Sequence, residues 1–168
     1  MANCCGWDMM VVGKDKASLD RLLKILKYED KEFYLYRVFD AYVNTKPRKR
    51  GDYYVARYYG DVAWSADPWV NATPNPDEKN DRGASYTNLR EICKTLGIGV
   101  EIWTEEPGVG FQQHIIIDSR GEVGVDDSED WTDGYEDEDG EEVEEEGGFA
   151  DYGEFSHPDE IYECEYCG

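Results

Sequence analysis

The sequence predicts an α+β fold in which two helices pack against one antiparallel sheet. Two segments carry apolar residues at helical spacing, and charged residues occupy the opposite side of the first one. The segments between and after them are rich in aromatic and β-branched residues, which favour strands. Several strands stand in a row between the two helices, so the chain does not alternate strand and helix as a parallel α/β protein does.

The first 65 residues predict a helix and four strands. The helix at 15–28 can begin at Asp15 or Ser18, since either side chain can cap it. Its apolar stripe consists of Leu19, Leu22, Leu23 and Leu26. A loop is predicted at 45–51, where Pro47 and Gly51 interrupt regular structure. The strands are predicted at 7–13, 33–43, 53–59 and 62–65, with a turn at Gly60 and Asp61.

The second half predicts an irregular loop, one helix and three strands. The stretch 67–82 holds three prolines and three asparagines with little apolar content, which is typical of a loop. The helix at 85–96 is expected to start at Ser85 and end at Gly97, and its stripe makes Cys93 a core residue. Strands are predicted at 98–104, 111–118 and 122–125, with turns at 105–110 and 119–121. His114 lies in a strand and is interpreted as a structural or surface residue.

This order of elements predicts a ferredoxin-like sandwich, with two helices on one face of an antiparallel sheet and extra hairpin strands. We assign this domain to residues 1–125. Residues 126–168 are assigned to an acidic, aromatic-containing C-terminal extension. One domain with a tail is what 168 residues allow.

Three separated blocks within residues 1–125 resemble the YubB-type ferredoxin-like domain of plasmid and phage proteins. The blocks are the opening Met-Ala-Asn-x-Cys with its strand and leucine-rich helix, the segment Val62-Ala-Trp-Ser65, and Thr104-Glu-Glu-Pro-Gly-Val-Gly-Phe111 followed by Gly121-Glu-Val123. The resemblance implies a ferredoxin-like fold and an origin in a mobile genetic element, and it implies no catalytic residues. Cys4 stands where a tryptophan is common in that family.

The charge of the chain is concentrated in its C-terminal quarter. The chain has 39 acidic and 17 basic residues and a net charge of −22. No Lys or Arg follows Arg120, whereas 21 Asp and Glu lie between 122 and 168, so residues 1–121 carry a net charge of only −1. A dense block of carboxylates repels nucleic acid and attracts the basic surfaces that hold nucleic acid.

Aromatic residues interrupt this acidic block, and a purely solvating tail would lack them. Closely spaced carboxylates can imitate DNA, which has one charge per ~1.7 Å of axis, while the rings can occupy base-stacking positions. We therefore predict a phage- or plasmid-encoded inhibitor that occupies the basic nucleic-acid channel of a defence protein, such as a CRISPR–Cas effector or a restriction enzyme. It would bind no DNA itself. The predicted contact residues are Asp126, Asp127, Glu129, Asp130, Trp131, Tyr135, Glu136, Asp137, Glu138, Asp139, Glu141, Glu142, Glu144, Glu145 and Glu146.

Two other interpretations of the charged segments stay open. The acidic block can be a disordered solubilising tail. The predicted basic loop, with Lys46, Arg48, Lys49 and Arg50, can instead contact phosphate or hold the acidic extension in cis. The alternative function is then a nucleic-acid-binding accessory protein with the extension as its regulator. The plainest interpretation of 46–50 is an exposed loop without a ligand.

Cys164 and Cys167 form a C-x-x-C, the spacing of a zinc half-site or a redox pair. Cys4, Cys5 or His157 could supply further ligands, although adjacent residues of a strand point to opposite faces. A zinc-stapled interaction module is therefore a third function. Two reduced thiols without any cofactor are the simpler interpretation.

The remaining predictions are exclusions. No nucleophile–base pair, phosphate loop or complete metal set is legible, so no enzymatic activity is predicted. No apolar run approaches the ~20 residues of a membrane span, and the N-terminus shows no secretory signal. We therefore expect no membrane interaction and a location in the cytoplasm of a bacterial host.

Overall fold

A computed structural model describes residues 4–106, 110–130, 135–136, 142–143 and 155–163. These residues contain eleven strands and four short helices. The strands are β1 (Cys4–Gly13), β2 (Phe33–Tyr34), β3 (Val38–Arg50), β4 (Tyr53–Ala63), β5 (Asn75–Lys79), β6 (Ser85–Tyr86), β7 (Ile98–Glu106), β8 (Phe111–Ile117), β9 (Val123–Asp130), β10 (Tyr135–Glu136) and β11 (Glu142–Val143). The helices are α1 (Lys16–Leu26), α2 (Asp67–Asn71), α3 (Leu89–Leu96) and α4 (Pro158–Tyr162).

Six strands form the main sheet, in the order β3-β4-β1-β7-β8-β9, and every neighbouring pair is antiparallel. A three-stranded sheet of order β2-β6-β5 and the two-stranded ladder β10-β11 lie outside it. Strands β3 and β9 are therefore the two edges of the main sheet. Unpaired backbone groups and the side chains beside them are most accessible at such edges.

The prediction of a ferredoxin-like sandwich is wrong. The described residues form a six-stranded antiparallel sheet, a separate three-stranded sheet and four short helices, which is not a single sheet covered by two helices. The fold is mostly β, and two further short helices, α2 and α4, join the two that the sequence predicts. Helix α4 packs on the opposite face of the sheet from α1 and α3.

Alternation along β1 creates two hydrophobic clusters. Trp7, Met9 and Val11 point to the first face, where they join the main core with α1 and α3. Met10 and Val12 point to the second face, where they pack with residues of β4 and with α4. Because both faces of β1 are covered, this strand is almost continuously apolar from residue 9 to residue 12.

Local signals located α1 and the end of α3. Asp15 caps α1 by accepting a hydrogen bond from the Ser18 amide at 2.9 Å, as predicted. The second helix begins later than predicted, at Leu89, with Asn88 as its cap, because Ser85 belongs to β6. Gly97 ends it in the left-handed conformation at φ 63°, as expected.

Three predictions between residues 33 and 65 are wrong. The predicted strand at 33–43 is broken, since β2 ends at Tyr34 and β3 begins at Val38. The predicted loop at 45–51 is the continuation of β3 to Arg50, and the chain turns at Gly51 with φ 60°. Gly60 is not a turn but lies inside β4, where a side chain would collide with the Asp40 carbonyl of the neighbouring strand.

Two predicted non-regular segments also carry structure. The stretch 67–82 contains α2 and β5 rather than an irregular loop alone. The last predicted strand, 122–125, extends to Asp130, because β8 supplies ladder partners as far as Phe111. Strand β9 thus runs through the predicted boundary at residue 125, and the division into domain and extension stays a prediction.

Candidate functional site

Strand β9 brings the first acidic residues of the predicted contact set to an edge of the main sheet. Four of its last five residues are acidic, namely Asp126, Asp127, Glu129 and Asp130. The side chains of Asp126 and Asp127 are exposed, and their backbones pair with Ile115 and His114 of β8. The pairing holds these carboxylates on an ordered strand rather than on a free tail.

Burial and the acidic neighbours of Asp126 shift the pKa of its carboxyl group. Partial burial, together with the negative charges of Asp67 on α2 and of Asp127, raises the pKa of the Asp126 carboxyl above its ordinary value. A raised carboxyl pKa means that the ionised group destabilises the folded state at neutral pH. The chain therefore keeps a carboxylate at a position where the fold alone would favour a neutral side chain.

Only part of the remaining acidic set falls within the described residues. Tyr135 and Glu136 form β10, and Glu142 lies on β11, where it is the register partner of Glu136. The other predicted contacts lie outside the described residues: Trp131, Asp137, Glu138, Asp139, Glu141, Glu144, Glu145 and Glu146. Their role stays a prediction.

The basic residues occupy the opposite edge of the sheet. Lys46, Arg48, Lys49 and Arg50 lie on β3 and not on a hairpin tip. Arg48 and Arg50 pair in register with Val55 and Tyr53 of β4, which face the second cluster. These two arginines line a cleft of about 450 Å³ on that face, and the other wall of the cleft is the segment 155–158.

Arg57 of β4 is a third arginine of this cleft. Its Nε and one terminal nitrogen donate to the two carboxylate oxygens of Asp8 at 3.0 and 2.6 Å. The hydrogen bonds that Arg57 donates to Asp8 raise the pKa of its guanidinium further above its already high ordinary value. The guanidinium carbon lies 4.7 Å from the centre of the Phe155 ring, so Phe155 and Asp8 together fix the position of this arginine.

A buried carboxylate attaches the 155–163 segment to the sheet. Glu101 of β7 is 1% exposed and accepts hydrogen bonds from the amide of Ser156 at 2.7 Å and from its hydroxyl at 3.1 Å. His114 of β8 contacts the same carboxylate at 2.7 Å and stacks on Trp103 with ring centres 3.8 Å apart. His114 is half-buried between the Glu101 carboxylate and the Trp103 ring, and its structural role stays a prediction.

A glycine permits this close attachment. A side chain at Gly99 of β7 would collide with the backbone carbonyl of Ile161, whose carbonyl carbon would be 2.9 Å from the added Cβ. Ile161 itself is fully buried in the second cluster. Helix α4 therefore sits directly on the backbone of the sheet.

The cysteines are divided between core, surface and undescribed residues. Cys4 is exposed and Cys5 is buried, as expected for neighbours on one strand. Burial raises the pKa of the Cys5 thiol to about 11, and it also raises the pKa of the Cys93 thiol, which lies in the main core as predicted. Among the described residues no group of His, Cys, Asp and Glu has the geometry of a metal site. Cys164 and Cys167 lie outside the described residues, so the zinc hypothesis stays untested there.

The sequence interpretation missed Glu101, Arg57 and the segment 155–158. One signal was available for Glu101, which is the single acid in the otherwise uncharged run 98–104 of β7, since an ionisable residue on a buried strand requires a partner. No signal indicated the partner, because Ser156 is 55 residues away in the chain.

The chain matches no protein-family model, no curated protein and no solved structure at a significant level. The resemblance to YubB-type domains therefore stays a prediction, and its implied fold is not observed. In the described part of the chain, no helix is both long and apolar enough to span a bilayer.

Proposed function

We propose that the protein is an inhibitor that inserts its acidic edge and extension into the basic nucleic-acid channel of a partner protein, without catalysis. The observation that supports the proposal most strongly is β9, which carries its acids on a paired edge strand. A bacterial nucleic-acid enzyme of a defence system, such as a CRISPR–Cas effector or a restriction enzyme, has the required channel chemistry.

The spacing of charge on β9 supports mimicry. Residues of an antiparallel strand rise by about 3.4 Å each, and one strand of B-DNA carries one phosphate per about 3.4 Å of axis. A strand with four acids in five positions therefore approaches the linear charge density of one DNA strand.

The asymmetry of charge supports it as well. Residues 1–121 are nearly neutral, so almost all of the net charge of −22 belongs to residues 122–168. A concentrated negative field accelerates encounter with a basic channel and opposes encounter with nucleic acid.

The structure sets the design of the test. Ending the chain near Asp126 would cut β9 and remove the 155–163 segment that packs on the sheet, so a truncated protein would lose more than charge. A full-length variant is preferable. It carries Asp126→Asn, Asp127→Asn, Glu129→Gln and Asp130→Asn.

A matched control removes the same number and types of charge from exposed positions of the body. It carries Glu29→Gln, Asp52→Asn, Asp77→Asn and Asp81→Asn, all at exposed residues. The three proteins are immobilised and used to capture partners from bacterial lysate, with and without excess duplex DNA, followed by mass spectrometry.

Support requires three results together: capture of a nucleic-acid enzyme by the natural chain, release by DNA, and loss of capture by the β9 variant but not by the control. If capture falls equally in the β9 variant and in the control, net charge alone explains the binding and the proposal is wrong. Direct binding of duplex DNA by the natural chain at physiological salt would also contradict it.

A further inference from the structure

The cleft on the second face of the sheet lies between the β3–β4 ribbon and the segment 155–158. Its volume of about 450 Å³ falls within the range of small-molecule sites, roughly 300–1,000 Å³. Its polar and aromatic lining consists of three arginines, the ring of Phe155, the imidazole of His157 and the hydroxyl side chains of Thr45 and Ser156. No residue of β9, the acidic edge strand, lines the cleft.

Two of the arginines are available to a ligand. Arg48 and Arg50 are exposed, and within the described ranges no ion pair or hydrogen bond joins either guanidinium to another side chain. They stand two residues apart on one strand and line the same cleft. Paired guanidinium groups on one face form a typical phosphate-binding arrangement, because each planar fork can donate two parallel hydrogen bonds.

The third arginine is held in place before any ligand arrives. Arg57 uses its Nε and one terminal nitrogen on Asp8, and its other terminal nitrogen donates no hydrogen bond to any described residue. A cation that a carboxylate already holds in position loses little side-chain entropy when a ligand binds. Arg57 can therefore add a donor to a ligand already bound by Arg48 and Arg50.

The opposite wall, the segment 155–158, contributes the aromatic ring of Phe155. Phe155 lines the cleft beside the buried side chains of Met10 and Val55. The hydrogen bonds of Ser156 to Glu101 attach this wall to β7 of the sheet. A ligand that suits both walls carries a phosphate on one side and a flat, weakly polar ring on the other.

We propose that this cleft binds a nucleotide, with its phosphate on Arg48 and Arg50 and its base against the wall formed by Phe155. Stacking of a base on an aromatic side chain contributes about 1–3 kcal/mol, so the base adds to the affinity of the phosphate. The site goes beyond the inhibitor function, because it uses the basic edge of the sheet and none of the residues of the acidic edge.

The test is isothermal titration calorimetry of the full chain with adenosine 5′-monophosphate and with inorganic phosphate. The variant is Arg48→Gln/Arg50→Gln. The control is Lys46→Gln/Lys49→Gln, which removes the same charge from the same strand at residues that do not line the cleft. Thermal melting checks that both variants, altered only at exposed positions, remain folded.

We expect one nucleotide per chain, bound about tenfold or more tightly than phosphate alone. The arginine variant should weaken nucleotide binding by about tenfold or more, and the lysine control by about twofold or less. Equal weakening in both variants would overturn the site in favour of a general attraction by β3. Equal affinities for phosphate and nucleotide would overturn the role of the aromatic wall.

A titration with a short single-stranded oligonucleotide completes the test. If only the oligonucleotide binds, the cleft serves a polymer and the nucleotide proposal is wrong. The β9 variant of the capture experiment should bind the nucleotide normally, so failure of one proposal is distinguishable from failure of the other.

Discussion

The two edges of the main sheet have opposite charge and different support. On the basic edge, β3 carries four cations and is flanked on the second face by the 155–163 segment. On the acidic edge, β9 carries four acids, and the ladder with β8 is its principal support. The difference suggests that the basic edge is a formed cleft for a small ligand, whereas the acidic edge is an open strip suited to a large basic partner.

Both edges also resist pairing with another chain. Strand β3 contains Pro47 and has register shifts between Val43 and Arg48, which disturb the ladder that an added strand would need. Strand β9 instead relies on like charge, since a second acidic strand would be repelled. The same task is thus solved by backbone irregularity on one edge and by charge on the other.

The largest expected effect comes from removing the support of the basic edge. Gly99→Ala places a methyl group against the backbone of Ile161, so α4 must shift away from the sheet. We expect a loss of about 2–3 kcal/mol in the free energy of unfolding and faster hydrogen exchange in 155–163. Urea denaturation and exchange mass spectrometry measure the two.

Gly6→Ala is the matched control for this prediction. Its added Cβ would lie 3.8 Å from the nearest heavy atom, the Glu105 carbonyl oxygen, which is an ordinary contact. The change should be neutral or stabilising by up to about 1 kcal/mol, because alanine reduces the entropy of the unfolded chain. Similar losses for both glycines would show that the contact of α4 with β7 is not the cause.

The next effect concerns the carboxylate that holds Ser156. Glu101→Gln replaces one acceptor oxygen by a donor facing groups that already donate, so we expect a loss of about 1–3 kcal/mol. Glu105→Gln, on the same strand and half-buried, should change stability by less than about 0.5 kcal/mol. Denaturation midpoints of the two variants check this. A loss for Glu105→Gln as large as for Glu101→Gln would argue against the proposed attachment.

A smaller effect is expected for the pair that orients Arg57. Asp8→Asn weakens a bidentate contact whose two side chains are 24% and 36% exposed, so solvent screening limits the loss to about 1 kcal/mol. Nucleotide affinity should fall severalfold as Arg57 loses its fixed position. Calorimetry and thermal melting measure both quantities. Asp61→Asn is the control. If this variant also binds the nucleotide more weakly, the change in overall charge and not the position of Arg57 is the cause.

The smallest effect sharpens the description of the acidic edge. Asp126 has a raised pKa in the folded state, so its proton is bound more tightly there than in the unfolded chain. Stability is therefore lost as pH rises from the unfolded value of 3.8 through the folded pKa. Asp126→Asn should then stabilise the protein slightly at pH 7, by about 0.5 kcal/mol or less because the group is exposed.

The benefit of Asp126→Asn should disappear near pH 3, where the natural carboxyl is protonated. Asp127→Asn removes the same charge from the neighbouring position and should stabilise less, because burial and the charge of Asp67 act on Asp126. Melting curves of the three proteins at both pH values are the measurement. A benefit of Asp126→Asn that is unchanged at low pH would exclude charge as its cause.

Local signals in the sequence determined α1, the end of α3 and several strands. The leucine spacing with Asp15 as cap located α1, and Gly97 located the end of α3, because caps and stripes depend on residues within a few positions of each other. The apolar runs at 98–104 and 111–118 located β7 and β8 for the same reason. Charge asymmetry was also legible, since it depends on composition alone.

Only the tertiary structure decided where the charged residues meet. The basic run 46–50 reads as a loop because strands disfavour lysine and proline, yet pairing with β4 extends β3 through it. The order of the strands was equally hidden, because an apolar pattern shows that both faces of β1 are covered but not which strands lie beside it. Two contacts build the cleft. Ser156 binds Glu101, which is 55 positions away in the chain. Phe155 contacts Arg57, which lies on a separate element. Such contacts depend on how the whole chain packs and not on any local preference, so no spacing in the sequence encodes them.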